Sequence, residues 1–174
     1  EHVGFDDSPF NVEFFHRPED GGLTLLEINT RISQSHSALF HLVDVASNHQ
    51  VAVELATGQR PEPPRVSEGS GPHAVASKFH LRRFRDALVV RAPGPEAIER
   101  LQRRNPGARL LVRVPEGKHL SDLPSQETYS FLYAVLYLGA DSDAELMARY
   151  ERCRDELGFE FADRDPGAGH PRNA

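Results

Sequence analysis

Asn11-Val12-Glu13-Phe14-Phe15-His16-Arg17-Pro18-Glu19-Asp20-Gly21-Gly22-Leu23-Thr24-Leu25-Leu26-Glu27-Ile28-Asn29-Thr30-Arg31 is the stretch on which the fold turns. Two short apolar runs flank a cluster of Pro, Asp and Gly-Gly, which is the sequence signal of a β-hairpin. Centring the hairpin on Asp20 puts Phe14 opposite Leu26, Phe15 opposite Leu25 and Glu13 opposite Glu27. Directly opposed side chains have β-carbons about 4.5–5.5 Å apart, and two like charges there are destabilising. A sheet with no use for that pair would avoid it.

Side chains alternate along a strand, so Glu27 and Asn29 share one face, and in this register Glu13 joins them. Phe10, Val12 and Phe14 fall on the other face with Leu26 and Ile28 and supply its apolar side. Two carboxylates and an amide oxygen make an all-oxygen donor set, suited to a hard divalent cation that also takes substrate phosphates and water. A cation there turns repulsion into attraction. A slip of one residue would separate the carboxylates.

Glu27-Ile28-Asn29-Thr30-Arg31 resembles the ATP-grasp family, and Asn11-Val12-Glu13-Phe14 resembles the strand that precedes this motif in it. The likeness runs on through Ile32-Ser33-Gln34-Ser35-His36 to the helix ending Leu55-Ala56-Thr57-Gly58, roughly the first third of the chain. It is closest to the carboxylase and carboxylate–amine ligase branches, biotin carboxylase among them. The resemblance implies that Glu13, Glu27 and Asn29 hold Mg²⁺ (or Mn²⁺) on the phosphates of ATP. It also implies that Arg31 approaches the transferred phosphate or the carboxylate substrate. Many members have Pro where this chain has Thr30, and the biotin carboxylase branch also has Thr there. His36, in a loop entering a helix, reads as a local hydrogen-bonding group outside the site.

The reaction so implied is transfer of the ATP γ-phosphoryl group to a carboxylate or to bicarbonate, giving an acyl phosphate that an amine or another nucleophile attacks. Positioning and electrostatics carry most of the rate in phosphoryl transfer, and Arg31 would add a planar, permanent charge. The expected partners are ATP, a small carboxylate and a nucleophile. The motif comes late in the family, so the chain, which begins at Glu1, reads as the C-terminal part of a longer enzyme. By itself it is expected to bind ATP poorly and not to turn over. The alternative is a non-catalytic ATP-grasp-derived binding or scaffold module. The opposed carboxylates favour the enzyme, because a scaffold gains nothing from them.

The expected fold class is α+β: a C-terminal portion of an ATP-grasp fold, antiparallel strands with packed helices, followed by a small α/β module. Residues 1–60 form the grasp portion, 61–71 a Pro-, Gly- and Ser-rich linker, 72–161 the small domain and 162–174 a disordered tail. In the first part, Leu39, Phe40 and Val43 recur at helical spacing between Ser37 and Val45, and Ser47-Asn48-His49-Gln50 reads as a capping box opening a helix that ends at Gly58. Those helices are expected to pack on the hairpin's apolar face.

In the second part, Ala74–Leu81, Ala87–Arg91 and Leu110–Val114 read as strands. Tyr129–Leu138 reads as a strand buried on both faces. Pro95–Arg104 is a helix with acids early and arginines late, as the helix dipole favours. Ser142-Asp143-Ala144-Glu145 caps another helix, whose stripe Leu146, Tyr150, Cys153 and Leu157 stops at Gly158.

A formal charge of −6 argues against nucleic acid or an anionic membrane as the main partner. Arg82-Arg83-Phe84-Arg85, the dense basic cluster, reads as a solvated strand end. The single cysteine, Cys153, excludes an internal disulfide, fits a reducing cytoplasmic setting and reads as a small buried hydrophobe. No apolar run reaches the length of a membrane span, and no stretch reads as a signal peptide.

Overall fold

A computed structural model describes residues 4–33, 36–44, 47–61, 71–124 and 129–163. The chain divides into two compact units, Glu1–Ala74 and Val75–Ala174. Residues 62–70 of the expected linker and 164–174 of the expected tail lie outside the described residues.

The first unit starts with the hairpin, β1 (Asn11–Arg17) and β2 (Gly22–Asn29), paired antiparallel. Two short helices follow, α1 (Ser37–Val43) and α2 (Asn48–Ala56). Ser47 caps α2 through its hydroxyl, which accepts from the Gln50 N–H at 3.1 Å. The Gln50 amide donates forward to Glu54 at 2.9 Å, so only half of the expected box closes. At the far end Gln59 N–H returns to the Glu54 carbonyl and Gly58 N–H to Leu55, with Gly58 at φ +74°, a Schellman ending. Gly71 and His73 donate their N–H groups to Val43 and Leu42, so this part of the chain is tied to α1. A β-carbon on Gly71 would stand 2.4 Å from the Val43 carbonyl carbon, which only glycine avoids.

The expected packing of helices on the hairpin is not what forms. Phe14, Leu25 and Ile28 remain 52 %, 52 % and 59 % exposed, and Leu42 is the one fully buried apolar side chain among the unit's described residues. A two-stranded ribbon buries little on its own.

The second unit carries β3 (Val75–Arg83), β4 (Ala87–Arg91), α3 (Pro95–Arg104), β5 (Arg109–Val112), β6 (Phe131–Ala140), α4 (Asp143–Glu156) and β7 (Glu160–Asp163). Its strands form two antiparallel sheets, ordered β3-β6-β5 and β4-β7. Residues 134–140 of β6 are buried without a break, as its apolar run implies for a central strand. β6 runs on to Ala140 because that residue still pairs with Val75.

Leu81, Leu136 and Leu138 meet Leu101 of α3, Leu146 and Cys153 of α4, and Leu157 at its C-terminal cap in one core. Tyr150 stacks on Phe79 with ring centres 4.2 Å apart. Fully burying a leucine contributes about 1.5–3 kcal/mol, so this stripe is what holds α4 to the sheet. The Ser142 hydroxyl caps α4 by accepting from Glu145 N–H at 3.3 Å.

β7 corrects the expected tail. Ala162 and Asp163 pair with Leu88 and Ala87, extending the unit past residue 161. Phe159 and Phe161 bury their rings edge-on against Tyr133 at 4.9 and 5.1 Å, and that contact draws the segment into the fold. The basic cluster is also more than a solvated end. Arg82 donates to the Ser130 hydroxyl at 2.8 Å, while Arg83 pairs with Asp163 and lies 4.7 Å from the Phe161 ring centre. Only Phe84 and Arg85 of the cluster are exposed.

Candidate metal and phosphate site

The site begins with the turn. Arg17 donates through Nε and Nη2 to the Asp20 carboxylate at 3.2 and 3.0 Å, and Asp20 accepts the Gly22 N–H at 2.8 Å. The guanidinium of Arg17 holds the Asp20 carboxyl below its usual range. Gly21, at φ +68°, supplies the left-handed residue the turn needs and donates to the Arg17 carbonyl at 2.9 Å. This turn sets Arg17 opposite Gly22 and Phe14 opposite Leu25, one residue away from the expected pairing of Phe14 with Leu26 and Phe15 with Leu25.

Continued unchanged, that register would set Glu13 against Leu26 and part the two acids. A bulge prevents this. Leu26 is the extra residue on β2, and beyond it Glu13 faces Glu27, Val12 faces Ile28 and Asn11 faces Asn29. A bulge inserts one unpaired residue and re-aims the side chains beyond it, and bulges are common beside functional sites.

Glu13, Glu27 and Asn29 therefore gather on one face, as the sequence implies. The structure adds Asn11. Its Nδ2 donates to Glu13 Oε1 at 3.1 Å, and Asn29 Nδ2 donates to Glu27 Oε1 at 2.7 Å. Both asparagines are half-buried and both glutamates exposed. Among the described residues neither glutamate enters a salt bridge.

Arg31 is not brought to the acids. Its Nη1 reaches the Ile32 carbonyl at 3.5 Å, leaving an exposed guanidinium. His36 is the local group expected, its Nδ1 lying 2.8 Å from the Ser33 hydroxyl.

The signal for Asn11 was in the sequence as a palindrome. Asn11-Val12-Glu13 on one strand and Glu27-Ile28-Asn29 on the other read as mirror images, and antiparallel pairing superposes them. Among the described residues no three or more His, Cys, Asp or Glu side chains gather as a metal site. The donors here are two carboxylates and two amides. All offer hard oxygens, with no nitrogen or thiolate ligand in the set, which fits Mg²⁺ rather than Zn²⁺ or copper.

No family model and no curated protein matches the sequence. Solved structures do match. The biotin carboxylase domain of Hydrogenobacter thermophilus 2-oxoglutarate carboxylase, in complex with MgADP, ADP and bicarbonate, superposes over 90 % of this chain with a TM-score of 0.57 at 16 % identity. The biotin carboxylase domain of a thermophilic 2-oxoglutarate carboxylase bound to bicarbonate gives the same TM-score of 0.57 and 16 % identity. A single-chain, multi-domain long-chain acyl-CoA carboxylase aligns over 88 % of this chain and 16 % of its own, with a TM-score of 0.55 at 16 % identity. The chain has a partial ATP-grasp fold of the biotin carboxylase kind. It spans 32 % and 33 % of the two biotin carboxylase domains. Among the described residues no helix is long and apolar enough to cross a membrane.

Proposed function

We propose that this chain carries the metal and phosphate end of an ATP-dependent carboxylate-activating enzyme. The observation that supports it most is the bulge that faces Glu13 with Glu27 and leaves both without a cation among the described residues. The likeness to carboxylase domains, two of them solved with bicarbonate and one of these also with MgADP, points the same way.

In this reading Glu13, Glu27 and Asn29 hold Mg²⁺ on the phosphates of ATP. When bound, the ion offsets charge that develops on the phosphate oxygens during γ-phosphoryl transfer to a carboxylate or bicarbonate. Arg31, exposed and unpaired with any acid among the described residues, swings to the anionic substrate and steadies it with a permanent, planar charge. The acyl phosphate so made is attacked by an amine or another nucleophile. The work is cytoplasmic and involves neither nucleic acid nor membrane. Because the chain spans about a third of the domains it resembles, turnover belongs to a longer protein that contains this sequence.

The exposed hairpin side chains would suit a scaffold as well, but a scaffold has no use for opposed acids. The test is ADP release by that longer protein with Mg-ATP and panels of bicarbonate, small carboxylates and amines. One panel member should stimulate release, and Glu27→Gln should abolish it. Undiminished turnover in the variant overturns the assignment.

A further inference from the structure

We propose that Asn11 is a positioning residue of the cation site, holding Glu13 on one strand as Asn29 holds Glu27 on the other. This rests on reading the hairpin face as a cation site. An exposed glutamate at a strand surface samples many rotamers, and two that repel each other sample those that point apart. Each glutamate here is tethered along its own strand by an asparagine two residues away, so neither can turn outward without breaking a charge-assisted hydrogen bond.

The amides use their N–H groups for this. That leaves Glu13 Oε2, Glu27 Oε2 and the Oδ1 atoms of both asparagines as acceptors with no donor among the described residues. A donor that fixes one oxygen of each acid presets the pair for a cation before one arrives. Ligating carboxylates are commonly held by such outer hydrogen bonds. The tether on Glu13 is the longer of the two, 3.1 against 2.7 Å, so Glu13 is the less firmly held arm. The dependence belongs to this chain's register, because only the bulge at Leu26 sets Asn11 and Glu13 across from Asn29 and Glu27.

The test titrates the full 174-residue chain with Mn²⁺ and follows paramagnetic broadening of the backbone amide signals of Val12, Glu13, Glu27 and Ile28. Asn11→Val removes the donor and keeps a strong strand former, and Asn11→Ile is a second variant of the same kind. Amide exchange along the hairpin checks that the ladder is intact in each. The Val and Ile variants should need roughly three- to tenfold more Mn²⁺ for half-broadening, the loss expected for one ordinary, solvent-exposed hydrogen bond. Asn11→Gln, which keeps an amide donor, should fall closer to the wild type, a rescue that a merely structural role would not produce. Wild-type affinity in the Val and Ile variants, or equal weakening in Val, Ile and Gln, overturns the role of Asn11. In either case Glu27→Gln still loses the broadening. If Glu27→Gln broadens like the wild type, or the wild type does not broaden at all, the cation site itself falls, whatever Asn11 does.

Discussion

Replacing Glu27 by Gln separates a carboxylate kept for a cation from one kept for the fold. Without a divalent ion two effects oppose each other. With the charges of the opposed Glu13 and Glu27 taken at the roughly 5 Å of opposed β-carbons, their repulsion in a water-like dielectric is about 0.8 kcal/mol. Screening at physiological salt roughly halves that to about 0.4 kcal/mol. Against this relief, the Asn29 amide that donates to Glu27 at 2.7 Å loses a charged acceptor and keeps a neutral one. For an exposed pair that loss is on the order of 0.5 kcal/mol. The two nearly cancel, so in EDTA the variant hairpin should match the wild type within about 0.5 kcal/mol.

Magnesium then tells them apart. At ten times its dissociation constant a ligand that binds only the folded hairpin stabilises it by about 1.4 kcal/mol, close to a tenfold slowing of local opening. Native-state hydrogen exchange at the hairpin amides reads this directly. The wild type should gain that protection on adding Mg²⁺ and Glu27→Gln should gain none. An equal gain in both proteins, or a variant already far less protected in EDTA, refutes the reasoning, the first by removing Glu27 from the cation site and the second by making it structural.

Two predictions concern the second unit. Leu136→Ala opens a void where β6 is 0 % exposed, and should cost about 2–5 kcal/mol in urea unfolding of that unit; a loss below about 1 kcal/mol would contradict the core described. Burial, with a smaller push from Glu156, raises the Cys153 thiol, so native protein should resist alkylation until denatured, and rapid labelling of folded protein would refute the burial. The same shift means that the unfolded chain loses its thiol proton first as pH climbs. Stability from this group is therefore whole below the ordinary thiol range and declines above it, a slope that Cys153→Ala should reduce.

Local chemistry was legible where a few neighbouring residues decide it. The hairpin, the helix Pro95–Arg104, the Ser142 cap and the stripe through Cys153 each follow from spacing within one or two turns of chain. So does the meeting of Glu13 with Glu27, though by a different route from the one the symmetric hairpin suggests. The turn chose its register through Arg17, Asp20 and Gly21, and the bulge at Leu26 then restored the acids to opposition. Nothing in alternation alone announces a bulge, because it arises when the register a turn prefers and the register a face needs differ by one residue.

The order of residues thus determined which segments are strand or helix, and that Glu27 and Asn29 share a face, since those depend on periods of 2 and 3.6. Tertiary structure alone decided that Ala162 and Asp163 belong to a strand, and that Arg83 is spent on Asp163 and Phe161. Those outcomes hang on partners up to 80 residues apart, where contact is set by how whole elements pack and no local pattern can carry the information.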